Sequence, residues 1–326
     1  MSPTTPGPRS ASRPVAESAA ASPRHRDPGR TLCLGDALVD LICEHPVERL
    51  SQARAFVPRF GGAAANIAVV AAHAGARVAL AGGAGEDAWG RWLRDRLQAE
   101  GVELSRFQLI AGAATPIAMV TVDEDGEPSY QVYGDALEPI VPALGERVDD
   151  AVGGCAALFL SSNTLVRSGE RDVTMQAREL ALKLGRPVIF DPNLRLHRWS
   201  SHADAAASAN ACVPGALLVR CNHSEAELMT GEREPERAAL ALLKAGAQMV
   251  VLTLGAGGAI LRGELRADEP GAAASVVSTV GAGDVLTGIL LARLAATGFY
   301  PPAVAAVLPE AVAQAAKACE RWAAID

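Results

Sequence analysis

From residue 31 onward, short uninterrupted apolar runs alternate with stretches in which apolar positions return every three or four residues. The runs "TLCLG" (31–35), "RVALAG" (77–82), "AALFLS" (156–161), "PVIF" (187–190), "ALLVR" (216–220) and "MVVLTL" (249–254) are too short for helices and predict strands. Helical spacing predicts helices near 64–75, 86–100, 169–184, 224–230, 234–246, 284–297 and 302–322. Strands that are apolar on both faces and alternate with helices imply a parallel sheet covered on both sides. The predicted fold class is therefore α/β, a central mostly parallel sheet with helices on both faces. Ligands of such sheets sit at the carboxyl ends of the strands.

Two stretches interrupt the alternation, "LICEHPVERLSQARAFVPRF" (41–60) and "TPIAMVTVDEDGEPSYQVY" (115–133). The second predicts a hairpin: an alternating strand, a turn at Glu124–Glu127, then "PSYQVY". Together the two predict a small β-sheet standing off the main body as a lid. The expected organisation is a disordered tail over 1–30, a core from 31–40, 61–110 and 138–326, and a lid from 41–60 and 111–137.

Composition narrows the function classes. The chain has 326 residues and a net charge of −7, which argues against a protein held to nucleic acid by phosphate contacts. It is 49% hydrophobic, but Arg77 and Arg293 interrupt the alanine-rich stretches before they reach membrane-spanning length. A soluble, cytoplasmic protein is expected. Arg9, Arg13, Arg24, Arg26 and Arg30 make the Pro-, Ser- and Ala-rich tail basic, and it lacks the apolar segment of a secretory signal. The six cysteines form no C-x-x-C pair, so small apolar fillers are expected rather than zinc ligands.

The candidate chemistry lies in glycine clusters and in polar residues that follow strands. "GGAAAN" (61–66), "TLGAGG" (253–258) and "VGAGD" (280–284) contain no Walker-type loop, since none of the three lysines follows a glycine. The dinucleotide fingerprint also fails, because its last required glycine is Ile260. The turn at 281–283 opens an apolar helix, which makes it a ready anion site, yet Asp284 stands in its first turn. Asp is also simply a good residue for a helix N-terminus. Likewise, "FDPNLR" (190–195) reads as a turn, Asn222 with Glu225 as a capping box, and 255–258 as a strand-to-strand turn. All three nevertheless fall where a parallel sheet binds its ligand.

These motifs, in this order, resemble the ribokinase-like (PfkB) carbohydrate kinases from residue 31 to about 320. "GGAAANIAVVAAHAG" is similar to the family's N-terminal signature and "STVGAGDVLTG" to its C-terminal one; "NHSE" and "TLGAGG" resemble its Asn-x-x-Glu motif and nucleotide loop. The resemblance implies an ATP-dependent kinase acting on a primary hydroxyl of a sugar. It implies Asp284 as catalytic base, with Gly281, Ala282 and Gly283 offering N–H groups to the phosphoryl charge. Asp40, Gly61, Gly62, Asn66 and Arg195 would bind substrate. Asn222, Glu225, Thr253, Gly255 and Gly258 would serve the nucleotide, Glu225 organising Mg²⁺ through water. A monovalent cation is a further candidate, although the family's Gly-Ala near the C-terminus is replaced by "CERWAAID".

"LGDALVDLI" and "FDPNLRLHRW" are similar to stretches of bacterial fructokinases, and fructose is the first-choice substrate. Leu38 stands where ribokinases usually carry an Asn, and Gly134 follows Tyr133 where many fructokinase-type members carry an Arg. The alternatives are 2-keto-3-deoxygluconate, ribose and nucleosides, or a catalytically silent binding protein on the same fold. A homodimer through the lid is also expected.

Overall fold

All six predicted apolar runs become strands. The computed structural model describes Met1, residues 29–134, Val141, residues 144–323 and Ile325. The expected tail therefore lies outside the described residues except for Met1, Gly29 and Arg30, as do residues 135–137 of the expected lid. Strands β1 (Arg30–Leu34), β4 (Arg77–Gly85), β8 (Ala157–Ser161), β9 (Val188–Asp191), β10 (Leu218–Asn222) and β11 (Met249–Thr253) form the parallel centre of a nine-stranded sheet. Its order continues on one side through β4 to β5 (Phe107–Ile110), and on the other through β12 (Ala259–Gly263) to β13 (Ala267–Glu269). Those last two strands run antiparallel, so residues 255–258 form a strand-to-strand turn.

Successive side chains of each central strand enter opposite cores, the reason the runs lack polar alternation. Leu158 and Leu160 pack with helices α3 (Val148–Gly153), α4 (Ser168–Lys183), α5 (His202–Asn210), α6 (His223–Thr230) and α7 (Pro235–Lys244). Ala157 and Phe159 face the other way, toward α1 (Ala63–His73), α2 (Ala88–Ala99), α8 (Ala282–Ala296) and α9 (Ala303–Ala318). In that second layer α1 and α8 approach closely. A Cβ on Gly288 would lie 2.6 Å from the Val70 side chain and 3.2 Å from the Ile67 carbonyl oxygen.

The off-pattern stretches form a second, four-stranded sheet: β3 (Val57–Gly61), β2 (Leu38–Ile42), β6 (Ile117–Val122) and β7 (Pro128–Tyr133), in that order. The hairpin matches its prediction, with Val122 opposite Pro128 and Asp123 Oδ1 accepting the N–H groups of Asp125 and Glu127 in the turn. The boundaries differ at the other end. Residues 38–40 pair with β3 and so belong to the small sheet, as does Gly61. Ile42, Ala118, Val120 and Val122 pack one face of this sheet against Val280 and Ala323. Among the described residues, no helix is long and apolar enough to cross a membrane.

Candidate active site

A cavity of about 640 Å³ lies between the small sheet and the carboxyl ends of the central strands. The small sheet contributes Asp40 and Tyr130; the core contributes Asp36 after β1, Asn163 after β8, Asn193 after β9 and Asn222 at the end of β10. This is where an open parallel sheet is expected to take its ligand.

Asp284 stands at the centre of the wall. Gly281 adopts a left-handed conformation (φ 73°) at the cap of α8, which turns the chain so that Asp284 enters the first helical turn facing inward. Its Oδ2 accepts a hydrogen bond from Asn66 Nδ2 at 2.8 Å, and its Oδ1 accepts one from Asn193 Nδ2 at 3.1 Å. Burial pushes the carboxyl up to about 7, and nearby Asp191 adds to the rise. Against this act the Asn66 hydrogen bond and the positive charges of Arg195 and Arg220. A carboxylate held at both oxygens near neutrality suits a general base.

Asp40 is another buried carboxyl of the cavity, also pushed up to about 7 by desolvation and by neighbouring Asp284 and Asp36, with Arg195 opposing. Its place depends on a missing side chain. A Cβ on Gly61 would fall 2.2 Å from Asp40 Oδ2 and 2.7 Å from Oδ1. Gly62 follows at φ 96°, where a Cβ would meet the Asp36 carbonyl. Arg195 is drawn inward rather than left on the surface; its guanidinium lies 5.2 Å from the Tyr130 ring centroid and faces Asp284, Glu225 and Asp36.

Asn222 and Glu225 form the capping box of α6: Asn222 Oδ1 accepts from Glu225 N–H at 2.8 Å, and Glu225 Oε2 from Asn222 N–H at 2.9 Å. Glu225 Oε1 accepts from Leu194 N–H at 2.7 Å, so this carboxylate also ties the "FDPNLR" loop to α6. Burial and Asp191 raise the Glu225 carboxyl, while Arg220 opposes. Among the described residues, no group of three or more His, Cys, Asp or Glu could hold a metal ion directly.

The cavity wall thus gathers Asp40, Gly62, Asn66, Arg195, Asn222, Glu225, Gly281, Gly283 and Asp284. Gly61, Ala282, Thr253, Gly255 and Gly258 do not line it, although Thr253 accepts from Arg220, which does. A Cβ on Gly258 would strike the Glu269 carbonyl, so that glycine accommodates the neighbouring chain after β13. Sequence reasoning missed two residues. Asn193 holds Asp284 from φ 41°, a strained conformation that Asn tolerates better than most residues. Arg220 is buried near the end of β10, donating to Asp191 Oδ2 at 3.2 Å and to Thr253 Oγ1 at 3.1 Å. Its signal was a charged residue closing an otherwise apolar parallel strand.

A mostly parallel sheet with two-sided helices, a small sheet over its carboxyl ends and an aspartate at a glycine-turn helix start define a ribokinase-like sugar kinase. Residues 29–321 match the pfkB family carbohydrate kinase, and the chain belongs to that family. It is therefore a phosphotransferase with an alcohol group as acceptor. Among curated relatives, fructokinase-1 of Oryza sativa subsp. japonica is 29% identical over 262 residues, 80% of this chain and 81% of the relative. The fructokinase of Vibrio cholerae O395, solved in a fructose-, ADP- and calcium-bound form, superposes with a TM-score of 0.79 at 28% identity, covering 91% of this chain and 94% of that one. A PfkB protein from Polaromonas sp. JS666 gives a TM-score of 0.79 at 26% identity, with 90% and 97% covered.

Proposed function

We propose that this protein transfers the γ-phosphoryl group of ATP to a primary hydroxyl of a neutral ketohexose, fructose being the first choice. The observation that carries this reading is Asp284, buried beside the 281–283 turn with both oxygens held at a cavity wall. When bound, Mg·ATP supplies the phosphoryl group and part of the charge neutralisation. Asp284 takes the proton of the attacking hydroxyl. Asn66 and Asn193 keep the carboxylate aimed, and the N–H groups of Gly281 and Gly283 receive phosphoryl charge, while that of Ala282 is held by the Thr279 carbonyl and braces the turn. Asp40 and Asn66 bind the remaining sugar hydroxyls, with Gly61 leaving room for the Asp40 carboxylate and Gly62 lining the cavity beside them.

Glu225 fits a magnesium ion held through water. Its oxygens already accept backbone N–H groups, while each keeps a lone pair for a coordinated water. Thr253, Gly255 and Gly258 are assigned to the nucleotide on motif resemblance alone. Free cysteines, most of them buried, fit a reducing cytoplasm, and Val132 and Tyr133, exposed at the edge of the small sheet, fit a dimer through that sheet.

The charge balance favours a neutral sugar. Arg195 already faces Asp284, Glu225 and Asp36, so a sugar acid would bring its carboxylate to a wall rich in acids. In a coupled ADP-release assay, fructose is expected to give the highest kcat/KM of a panel of sugars, sugar acids and nucleosides. A kcat/KM for 2-keto-3-deoxygluconate or a nucleoside roughly tenfold above that for fructose, a difference of about 1.4 kcal/mol, would sink the substrate assignment.

The small sheet is assigned as a lid that excludes water from the phosphoryl group. Amide exchange across residues 115–133 is expected to slow when fructose saturates the protein. Unchanged protection there would remove the lid role.

A further inference from the structure

Gly283 does more than leave room for an anion. A Cβ on it would lie 2.7 Å from Nη1 and 2.8 Å from Nη2 of Arg220, so the guanidinium of β10 lies directly against the turn. That guanidinium is buried, with only 8% of the side chain exposed, and is anchored on both sides. Nη1 donates to Asp191 Oδ2 and Nη2 to Thr253 Oγ1. Asp191 in turn accepts from Thr287 Oγ1 at 2.7 Å, one helical turn beyond Asp284 on α8. The start of α8 is therefore braced twice from the sheet, by Arg220 under Gly283 and by Asp191 through Thr287.

We infer that Arg220 is a positioning residue for phosphoryl transfer: it is the seat on which Gly283 rests, and it fixes the 281–283 turn relative to the Asp284 carboxylate. The inference rests on the roles proposed above for Asp284 and the turn. A planar, permanently charged group suits this place, because its two terminal nitrogens both lie against the glycine while they serve Asp191 and Thr253. Lysine would keep the charge opposite Asp191 but not the contact made by two nitrogens.

The test compares Arg220→Met and Arg220→Lys in the full-length protein, by steady-state kinetics and by amide exchange in the absence of substrates. Arg220→Met is expected to lower kcat about 10²-fold, the scale of a misplaced reacting group, with KM for fructose unchanged. Arg220→Lys is expected to lose about tenfold, again in kcat alone. In both variants exchange should quicken at Ala282 and Val285, whose N–H groups bond to Thr279 and Gly281 at the turn, and not along the rest of α8. The exchange readout requires no catalysis, so it judges the seat even if Asp284 proves dispensable. Wild-type kcat in either variant, a loss confined to KM for fructose, or quickening spread evenly over α8 would overturn the inference. Should Arg220→Met fail to fold with Asp191 left unpaired, Arg220→Lys decides by the same criteria.

Discussion

Asp284→Asn is expected to reduce kcat by roughly 10²–10⁴-fold while leaving KM for ATP nearly unchanged. The substitution keeps the shape and removes the basicity. Asn66 and Asn193 both donate to the native carboxylate and both have a buried Oδ1 without a partner. A turn of either amide therefore lets it accept from the new side-chain NH₂, and the site need not collapse. Stability should move the other way. Because the folded-state carboxyl is pushed up to about 7, from an ordinary value near 3.9, the folded protein holds a proton that the unfolded chain releases. The cost of the charged form is absent near pH 4, grows as pH rises toward 7, and is complete above it. Asparagine removes that cost. Thermal unfolding is expected to show Asp284→Asn more stable than wild type at pH 8, with the gap narrowing at pH 5. Near-native turnover in a folded Asp284→Asn protein would remove Asp284 from the base role. In the wild type, kcat/KM should fall as pH drops below about 7, with Asp40 and Asp284 titrating as an interacting pair.

Gly61→Ala is the second large effect. The added methyl would overlap all three atoms of the Asp40 carboxylate group, at 2.2–2.7 Å. Asp40 is short and buried, so it has nowhere to swing except into the cavity. The expected result is a rise in KM for the sugar on the order of 10²-fold, with KM for ATP little changed. Asp40→Asn should raise the same KM without the overlap. Because both act on one carboxylate, the double variant should be scarcely worse than the worse single one. Full additivity would mean that Gly61 acts independently of Asp40.

The alternation of apolar runs and helical spacing carried the sheet and both helical layers, since burial on two faces leaves a clear mark in sequence. Helix α5 escaped because "HADAAASAN" has no apolar stripe; its N-terminal signal was Ser201, which accepts from Asp204 N–H. Strands β5, β12 and β13 escaped because Gln108, Arg262, Asp268 and Glu269 break their short apolar runs, even though 255–258 was legible as a strand-to-strand turn. In the site, Asp284 and Glu225 stood out because they adjoin a glycine turn and a strand end, whereas Asp40 and Asn66 were singled out by the family resemblance. Asn193 looked like an ordinary turn residue after proline. Arg220 could be paired only once folding brought Asp191, Thr253 and Gly283 around it, 29, 33 and 63 positions away in the chain.

The contact between α1 and α8 gives the molecule a gauge block. Asn66 and Asp284 are 218 positions apart in sequence and 2.8 Å apart in space, and the helices that carry them are spaced by Val70 and Ile67 against the bare Cα of Gly288. The reach between a hydroxyl-binding amide and its neighbouring carboxylate is thus machined in a largely apolar seam behind the cavity wall. Volume added or removed in that seam would reset the reaction distance without altering a single residue of the cavity wall. Variants with changed turnover and an untouched wall should therefore be sought among small substitutions at Ile67, Val70 and Gly288.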